Sequence, residues 1–288
     1  MTGKVSKLGV IAGGGGLPVA LARRCMSTSR PFYLIRLRGF ADQGTEPFPG
    51  EVIGVAEVGR VIKALRAQGC EELCFAGNVS RPDLSALKPD LKGLSVLPGA
   101  LAAARMGDDA LMRYMLGVFE AEGFRIVGAD EVDAALLLEE GVLGAVQPRL
   151  SDEADIARAL DVARAIGELD IGQGAIVADG LVLCVEAQEG TDAMLSRCAG
   201  LPAELRGTAV MRLGVLAKCP KPIQELRIDL PTIGVSTVEG AAAAGLSGIV
   251  GEAGRMLVMD RIAVIEAANR LGLFVLGVAG PAPSTGAQ

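Results

Sequence analysis

The densest set of chemically capable side chains lies between Lys218 and Gly234, where Lys221, Gln224, Glu225, Arg227 and Asp229 stand among Pro220, Pro222 and Pro231. Each proline fixes its own φ and biases the residue before it away from helix, so the segment reads as extended rather than as a loose basic tail. Read as a strand, Leu226 to Leu230 puts Arg227 and Asp229 on one face, opposite Leu226, Ile228 and Leu230. A cation beside a carboxylate on a stiff edge suits a phosphate ester together with a metal ion. The plainer alternative is a surface ion pair on an edge strand. A second acid set, Glu189 and Asp192 around Thr191, falls at an expected strand-to-helix turn, where Thr191 could also act as an N-cap. Asp108 and Asp109 open a further helix, as caps or as ligands for a hard cation.

The chain has no histidine. That removes the Ser-His-Asp triad, imidazole acid–base catalysis and most zinc chemistry. Its six cysteines (Cys25, Cys70, Cys74, Cys184, Cys198 and Cys219) form no C-x-x-C pair and read as small core hydrophobes. Chemistry therefore falls to Asp, Glu, Lys, Arg, polar groups, backbone amides or a carboxylate-bound ion such as Mg²⁺ or Mn²⁺. A net charge of −6 argues against a nucleic-acid partner. No run reaches the roughly 18 uncharged apolar residues of a spanning helix, and residues 1–16 lack a signal-peptide h-region. The expectation is a cytoplasmic chain, with a membrane-surface substrate left open.

The elements that must position these groups alternate strand and helix. Leu8 to Ala12 is an apolar run that ends in Gly13, Gly14, Gly15 and Gly16, followed by a helix with Pro18 in its first turn. Such a loop lets backbone N–H groups approach a phosphate. It misses the dinucleotide fingerprint, because Pro18 and Val19 fall where the third small residue belongs, and Arg36 and Arg38 follow the next strand where an acid would hold a ribose. A plain tight turn is the alternative. Strands at Val52–Val55 and Glu72–Ala76, with a helix over Val58–Gln68, extend a doubly wound parallel sheet. Asn78, Ser80 and Arg81 lie at a strand end, suited to nucleotide binding or to helix capping. Leu84 to Gly99 reads as irregular because of Pro89, Gly93 and Pro98. Residues 1–135 thus read as a Rossmann-like nucleotide-side domain, 136–148 as a linker, 149–280 as a catalytic α/β domain with a mixed sheet, and 281–288 as a tail. In the second domain, Asp179-Gly180 between two apolar runs signals a hairpin, with Gln173 just ahead of it.

Taken in order, Ile11 to Gly15, Ser80-Arg81-Pro82, Gly107 to Asp109, Asp170-x-Gly-Gln173, Glu189 to Asp192, and Lys221-Pro-x-Gln224 with Arg227-x-Asp229-x-Pro231 span nearly the whole chain. This ordered set resembles the LpxI-type UDP-2,3-diacylglucosamine pyrophosphatases of lipid A biosynthesis. The resemblance implies Mg²⁺-dependent hydrolysis of UDP-2,3-diacylglucosamine to UMP and 2,3-diacylglucosamine 1-phosphate (lipid X). It implies catalytic roles for Asp229, Glu225, Lys221, Arg227 and Gln224. It implies substrate binding by Gly13, Gly14, Gly15, Ser80, Arg81, Gln173 and Thr191, and metal binding by Asp192, Glu189 and Asp229. Glu225 stands where the motif usually has Asp, which favours Asp229 as the functional acid. Peripheral contact with the cytoplasmic face of the inner membrane and homo-oligomerisation are compatible with it. A non-catalytic nucleotide or lipid carrier, and a nicotinamide-dependent oxidoreductase, are the alternatives from other classes.

Overall fold

The computed structural model describes residues 6–80, 87–222 and 225–280, with backbone alone at Asp108. The expected tail, 281–288, lies outside them. The contacts divide the chain into two units: residues up to Ala134 together with Glu225–Asp229, and Ala135–Gln224 together with Leu230 onward.

The first unit runs β1 (Lys7–Ala12), α1 (Leu17–Ser27), β2 (Phe32–Leu37), β3 (Gly50–Ile53), α2 (Val58–Ala67), β4 (Cys70–Ala76), α3 (Leu91–Ala104), α4 (Asp108–Ala121), β5 (Arg125–Ile126) and α5 (Ala129–Val132). Its sheet has the order β3-β2-β1-β4-β5 and is parallel throughout. A parallel sheet covered on both faces needs near-continuous apolar strands, and Leu8 to Ala12 is buried at every position. On α2, Val58, Val61, Ile62 and Leu65 are buried at helical spacing. Burying each such side chain is worth about 1.5–3 kcal/mol. Arg36 is also buried, and donates to the carbonyl oxygens of Thr45 (2.8 Å), Glu46 and Phe48. It ties down the loop after β2.

The stretch read as irregular, 84–99, instead contains most of α3, with Pro98 inside the helix. Asp90 caps it by accepting from Gly93 N at 2.7 Å.

The second unit runs β6 (Gly141–Val142), α6 (Glu153–Glu168), β7 (Gly174–Ala178), β8 (Leu181–Val185), α7 (Gly190–Ala199), α8 (Ala203–Arg206), β9 (Val215–Lys218), β10 (Thr232–Ile233), α9 (Val235–Ala243), β11 (Gly248–Glu252), β12 (Leu257–Val258), α10 (Arg261–Leu271) and β13 (Phe274–Val278). The main sheet has the order β6-β13-β11-β9-β7-β8. Strands β13, β11 and β9 are parallel, while β6 runs antiparallel to β13, β7 to β9 and β8 to β7, so the sheet is mixed. The α/β class with a parallel and a mixed sheet is as expected. Period-two alternation sorts its core. Ile176, Leu216, Ile249 and Val275 join one cluster, with buried residues of α7, α9 and α10. Ala175, Val177, Val215, Ala217 and Val250 join another, with Ile156, Ala159, Leu160 and Ala163 of α6. The expected hairpin joins β7 to β8. Asp179 and Gly180 take positive φ (48° and 74°), as a two-residue hairpin turn requires. The buried Asp155 carboxylate accepts from both turn amides, at 2.9 and 2.7 Å.

Candidate active-site residues

In the first unit the chain leaves β1 toward β2 on one side and later returns with β4 on the other, so the C-terminal ends of β1 and β4 flank a topological switch point. The glycine loop lies there. Gly13 N donates to Ala76 O at 2.8 Å, and Gly14 and Asn78 exchange both backbone hydrogen bonds, at 2.9 and 2.8 Å. Gly13 must be glycine for this approach: a Cβ would lie 2.5 Å from Asn78 O. Gly15, at φ 89°, donates to the Asp42 carboxylate at 2.6 Å. The three amides expected to cradle a phosphate therefore already have protein acceptors, and these glycines shape the loop. Beyond them α1 starts at Leu17, with Gly16 as an N-cap that offers no side chain and no acid in the first turn, which leaves the positive end of the helix to Gly16 and the residues after it. Ser80 is exposed just past β4, and Arg81 lies outside the described residues.

The acidic turn of the Pro-rich segment also belongs to the first unit. The expected strand over Leu226–Leu230 is absent. Residues 226–228 form a turn, with Ile228 N and Asp229 N both donating to Glu225 O, at 3.0 and 3.1 Å. The proline bias toward extended backbone is overridden by a side-chain fork. Arg227 Nε and Nη2 each donate to the Glu225 carboxylate at 2.9 Å, and Nη1 donates to Glu120 at 2.6 Å. Glu225 N donates to Asp109 at 3.0 Å, and Ile228 packs against the first unit's core. Asp109 thus anchors this turn, and the cap of α4 is Gly107. The Arg227 hydrogen bonds hold the Glu225 carboxyl below its ordinary range, while the Glu225 and Glu120 carboxylates push the Arg227 guanidinium up. Glu225 and Arg227 are thus engaged with one another in the turn that carries the exposed Asp229. Gln224 lies outside the described residues.

In the second unit, β9 ends on Lys218, which is level with Gly174 of β7 and Gly251 of β11. This is again a switch point, because β11 and β13 extend the sheet to one side of β9 and β7 and β8 to the other. Lys218 is only 4% exposed. Its Nζ donates to Thr191 Oγ1 at 2.7 Å and to Thr232 O at 3.1 Å. Thr191 in turn donates to Glu186 Oε1 at 2.8 Å, so its hydroxyl links a buried cation to a buried carboxylate rather than capping α7. Glu186 Oε2 and Gln173 Oε1 are buried acceptors with no hydrogen-bond partner among the described residues. Unsatisfied buried acceptors of this kind suit hydroxyl or amide donors of a ligand. From sequence Lys218 is only the first residue of the Pro-rich segment, and Glu186 carries no site role. The only available sign was that each ends an apolar strand run, and their meeting depends on sheet register.

The remaining expected residues are placed as follows. Lys221 pairs with Asp170 at 2.8 Å. Glu189 pairs with Arg197 at 2.5 Å; its own backbone amide and then Arg197 hold its carboxyl below the usual range. Asp192 lies exposed in the first turn of α7, where it complements the helix dipole. Asp229 belongs to the first unit and Glu189 and Asp192 to the second. Among the described residues no group of three Asp, Glu or Cys side chains could hold a metal ion.

Comparison with known proteins agrees with this two-part organisation. Residues 7–136 match the LpxI N-terminal domain and residues 139–276 the LpxI C-terminal domain. A protein of Caulobacter vibrioides named UDP-2,3-diacylglucosamine pyrophosphatase LpxI is 64% identical over 272 residues, covering 94% of this chain and 97% of that protein. The chain belongs to the LpxI family. The two LpxI domain matches meet within a few residues of Ala134–Ala135, where the contacts divide the chain. Membership in LpxI disfavours the carrier and oxidoreductase alternatives.

Proposed function

We propose that this LpxI chain hydrolyses the diphosphate of UDP-2,3-diacylglucosamine, releasing UMP and lipid X, in lipid A synthesis. The observation that carries this reading is the 64% identity to the Caulobacter protein over 94% of the chain, which spans both units. The chemistry of the chain is compatible with it. The chain offers carboxylates, lysines and arginines at strand ends and no histidine.

In this reading Asp229 orients the attacking water and takes its proton. Water oxygen bonds to the sugar-side phosphorus, the bond from that phosphorus to the bridging oxygen breaks, and UMP departs with the bridging oxygen. Lys221, which pairs with Asp170, supplies positive charge for phosphate oxygens. The residues present suit Mg²⁺ only in one form. They make no closed protein cage, but Mg²⁺ commonly takes one or two carboxylates and completes its shell with substrate phosphates and water. Asp229 in the first unit and Asp192 in the second are each exposed, and either would serve as such a carboxylate; Glu189 pairs with Arg197. When bound, the ion would neutralise charge on the diphosphate.

We predict that excess EDTA abolishes release of UMP and lipid X, followed by mass spectrometry, and that Mg²⁺ or Mn²⁺ restores it while zinc restores it poorly, because every candidate ligand is a hard carboxylate. Full turnover in EDTA would eliminate the metal role. Failure to form either product under any metal condition would eliminate the proposed reaction.

A further inference from the structure

Helix α3 turns an apolar face to solvent. Leu91, Leu94, Ser95, Pro98, Leu101 and Ala102 are all exposed, Leu91 at 87% and Leu94 at 53%, and Met106 just past the helix is 81% exposed. At about 100° per residue these six helical positions fall within roughly a third of the circumference. The opposite side, through Gly93 and Val96, is the buried one. An exposed apolar stripe of this size on a soluble domain marks an interaction surface.

The charges around the stripe narrow the partner. Within residues 87–107 the ionisable side chains are Lys88, Asp90, Lys92 and Arg105. The one acid is engaged at the helix start, accepting from Gly93 N and Arg60 N, both at 2.7 Å. Lys88 and Arg105 are exposed at the two ends of the helix. Lys92 flanks it and shares Glu122 with Arg66. A locally cationic rim therefore surrounds an apolar stripe in a chain whose net charge is −6. Beside the stripe, α3 and α4 border an open depression of about 370 Å³, walled by Val96, Tyr114, Gly117 and Val118, with Lys92 and Arg113 at its edge. Arg113 pairs with Asp109 at 2.5 Å and is itself half exposed.

We infer that this face of α3 docks the protein on a bilayer surface that contains anionic lipid. Leucine and methionine side chains reach the acyl boundary while lysine and arginine lie in the headgroup layer, the arrangement of interfacial helices. A second copy of the chain fits less well, because a two-fold contact would set the same cationic rim against itself. The inference stands on the surface alone; the diacylated substrate of the proposed reaction would give it a use.

The test is sedimentation of the full-length protein with vesicles of phosphatidylcholine, with and without about a third phosphatidylglycerol. The expected result is binding roughly tenfold or more stronger to the anionic vesicles, weakening as salt is raised. Leu91→Asp with Leu94→Asp should lose that binding by roughly tenfold or more while keeping the wild-type far-UV spectrum. Lys88→Glu with Arg105→Glu, which leaves the stripe intact, should erase the preference for anionic vesicles. It serves as the independent test if the leucine variant fails to fold. Absence of binding to either vesicle overturns the inference, as does equal binding by wild type and the leucine variant. So does a dimer, seen by light scattering, that the leucine substitutions break while vesicles bind nothing. Because sedimentation needs no turnover, a failure of docking is distinguishable from a failure of the hydrolytic reading.

Discussion

Asp229→Ala is expected to lower kcat by roughly a hundredfold to ten-thousandfold, the range measured for removal of a positioned general base. The unfolding temperature should stay near that of the wild type. The side chain is exposed, and the turn that presents it is built by other groups: the Arg227 fork to Glu225 and Glu120, the Glu225 amide on Asp109, and Ile228 in the core. A matched Glu225→Gln variant separates chemistry from framing. It removes the charge that grips Arg227 and should lower stability along with rate, whereas Asp229→Ala should lower rate alone. An Asp229→Ala protein that turns over at near the wild-type rate would remove Asp229 from the mechanism and leave Glu225 as the acid to test next.

Lys218→Met is expected to have the largest effect on stability. Lys218 and Glu186 are both nearly inaccessible to water and are joined through the Thr191 hydroxyl. Removing the ammonium leaves the buried Glu186 carboxylate held by the Thr191 hydroxyl alone among the described residues. Breaking up such a group costs roughly 2–4 kcal/mol. For a unit of this size that corresponds to an unfolding midpoint lower by roughly 6–12 °C. The double variant Lys218→Met with Glu186→Gln should recover part of the loss, because the uncompensated charge is gone. Additive losses in the two single variants would show that the two side chains do not act through one another.

The parts legible in the sequence were those where local chemistry and final environment agree. Leu8 to Ala12 reads as a buried strand because it is buried on both faces. Asp179-Gly180 reads as a hairpin because its positive φ values demand those residues. The Pro-rich segment misled, since its alternating residues fit a strand until Arg227 found two carboxylates, one on α4, far away in sequence. Helix α3 was hidden by Pro89, Gly93 and Pro98; an interior proline ordinarily costs about 3 kcal/mol in a helix, and only the Asp90 cap and the Ala-rich end argued otherwise. The glycine loop was legible in place but not in role, because its amides find acceptors at Ala76, Asn78 and Asp42 that no local pattern reveals. The Lys218–Thr191–Glu186 link depends on the register of three strands and could be seen only in the folded sheet.

Whether water attacks the diphosphate at the sugar-side phosphorus is read by running the reaction in ¹⁸O-labelled water and weighing both products. The expected result is one labelled oxygen in lipid X and none in UMP. Label in UMP instead would contradict the assigned site of attack, and the absence of both products would contradict the hydrolytic function itself.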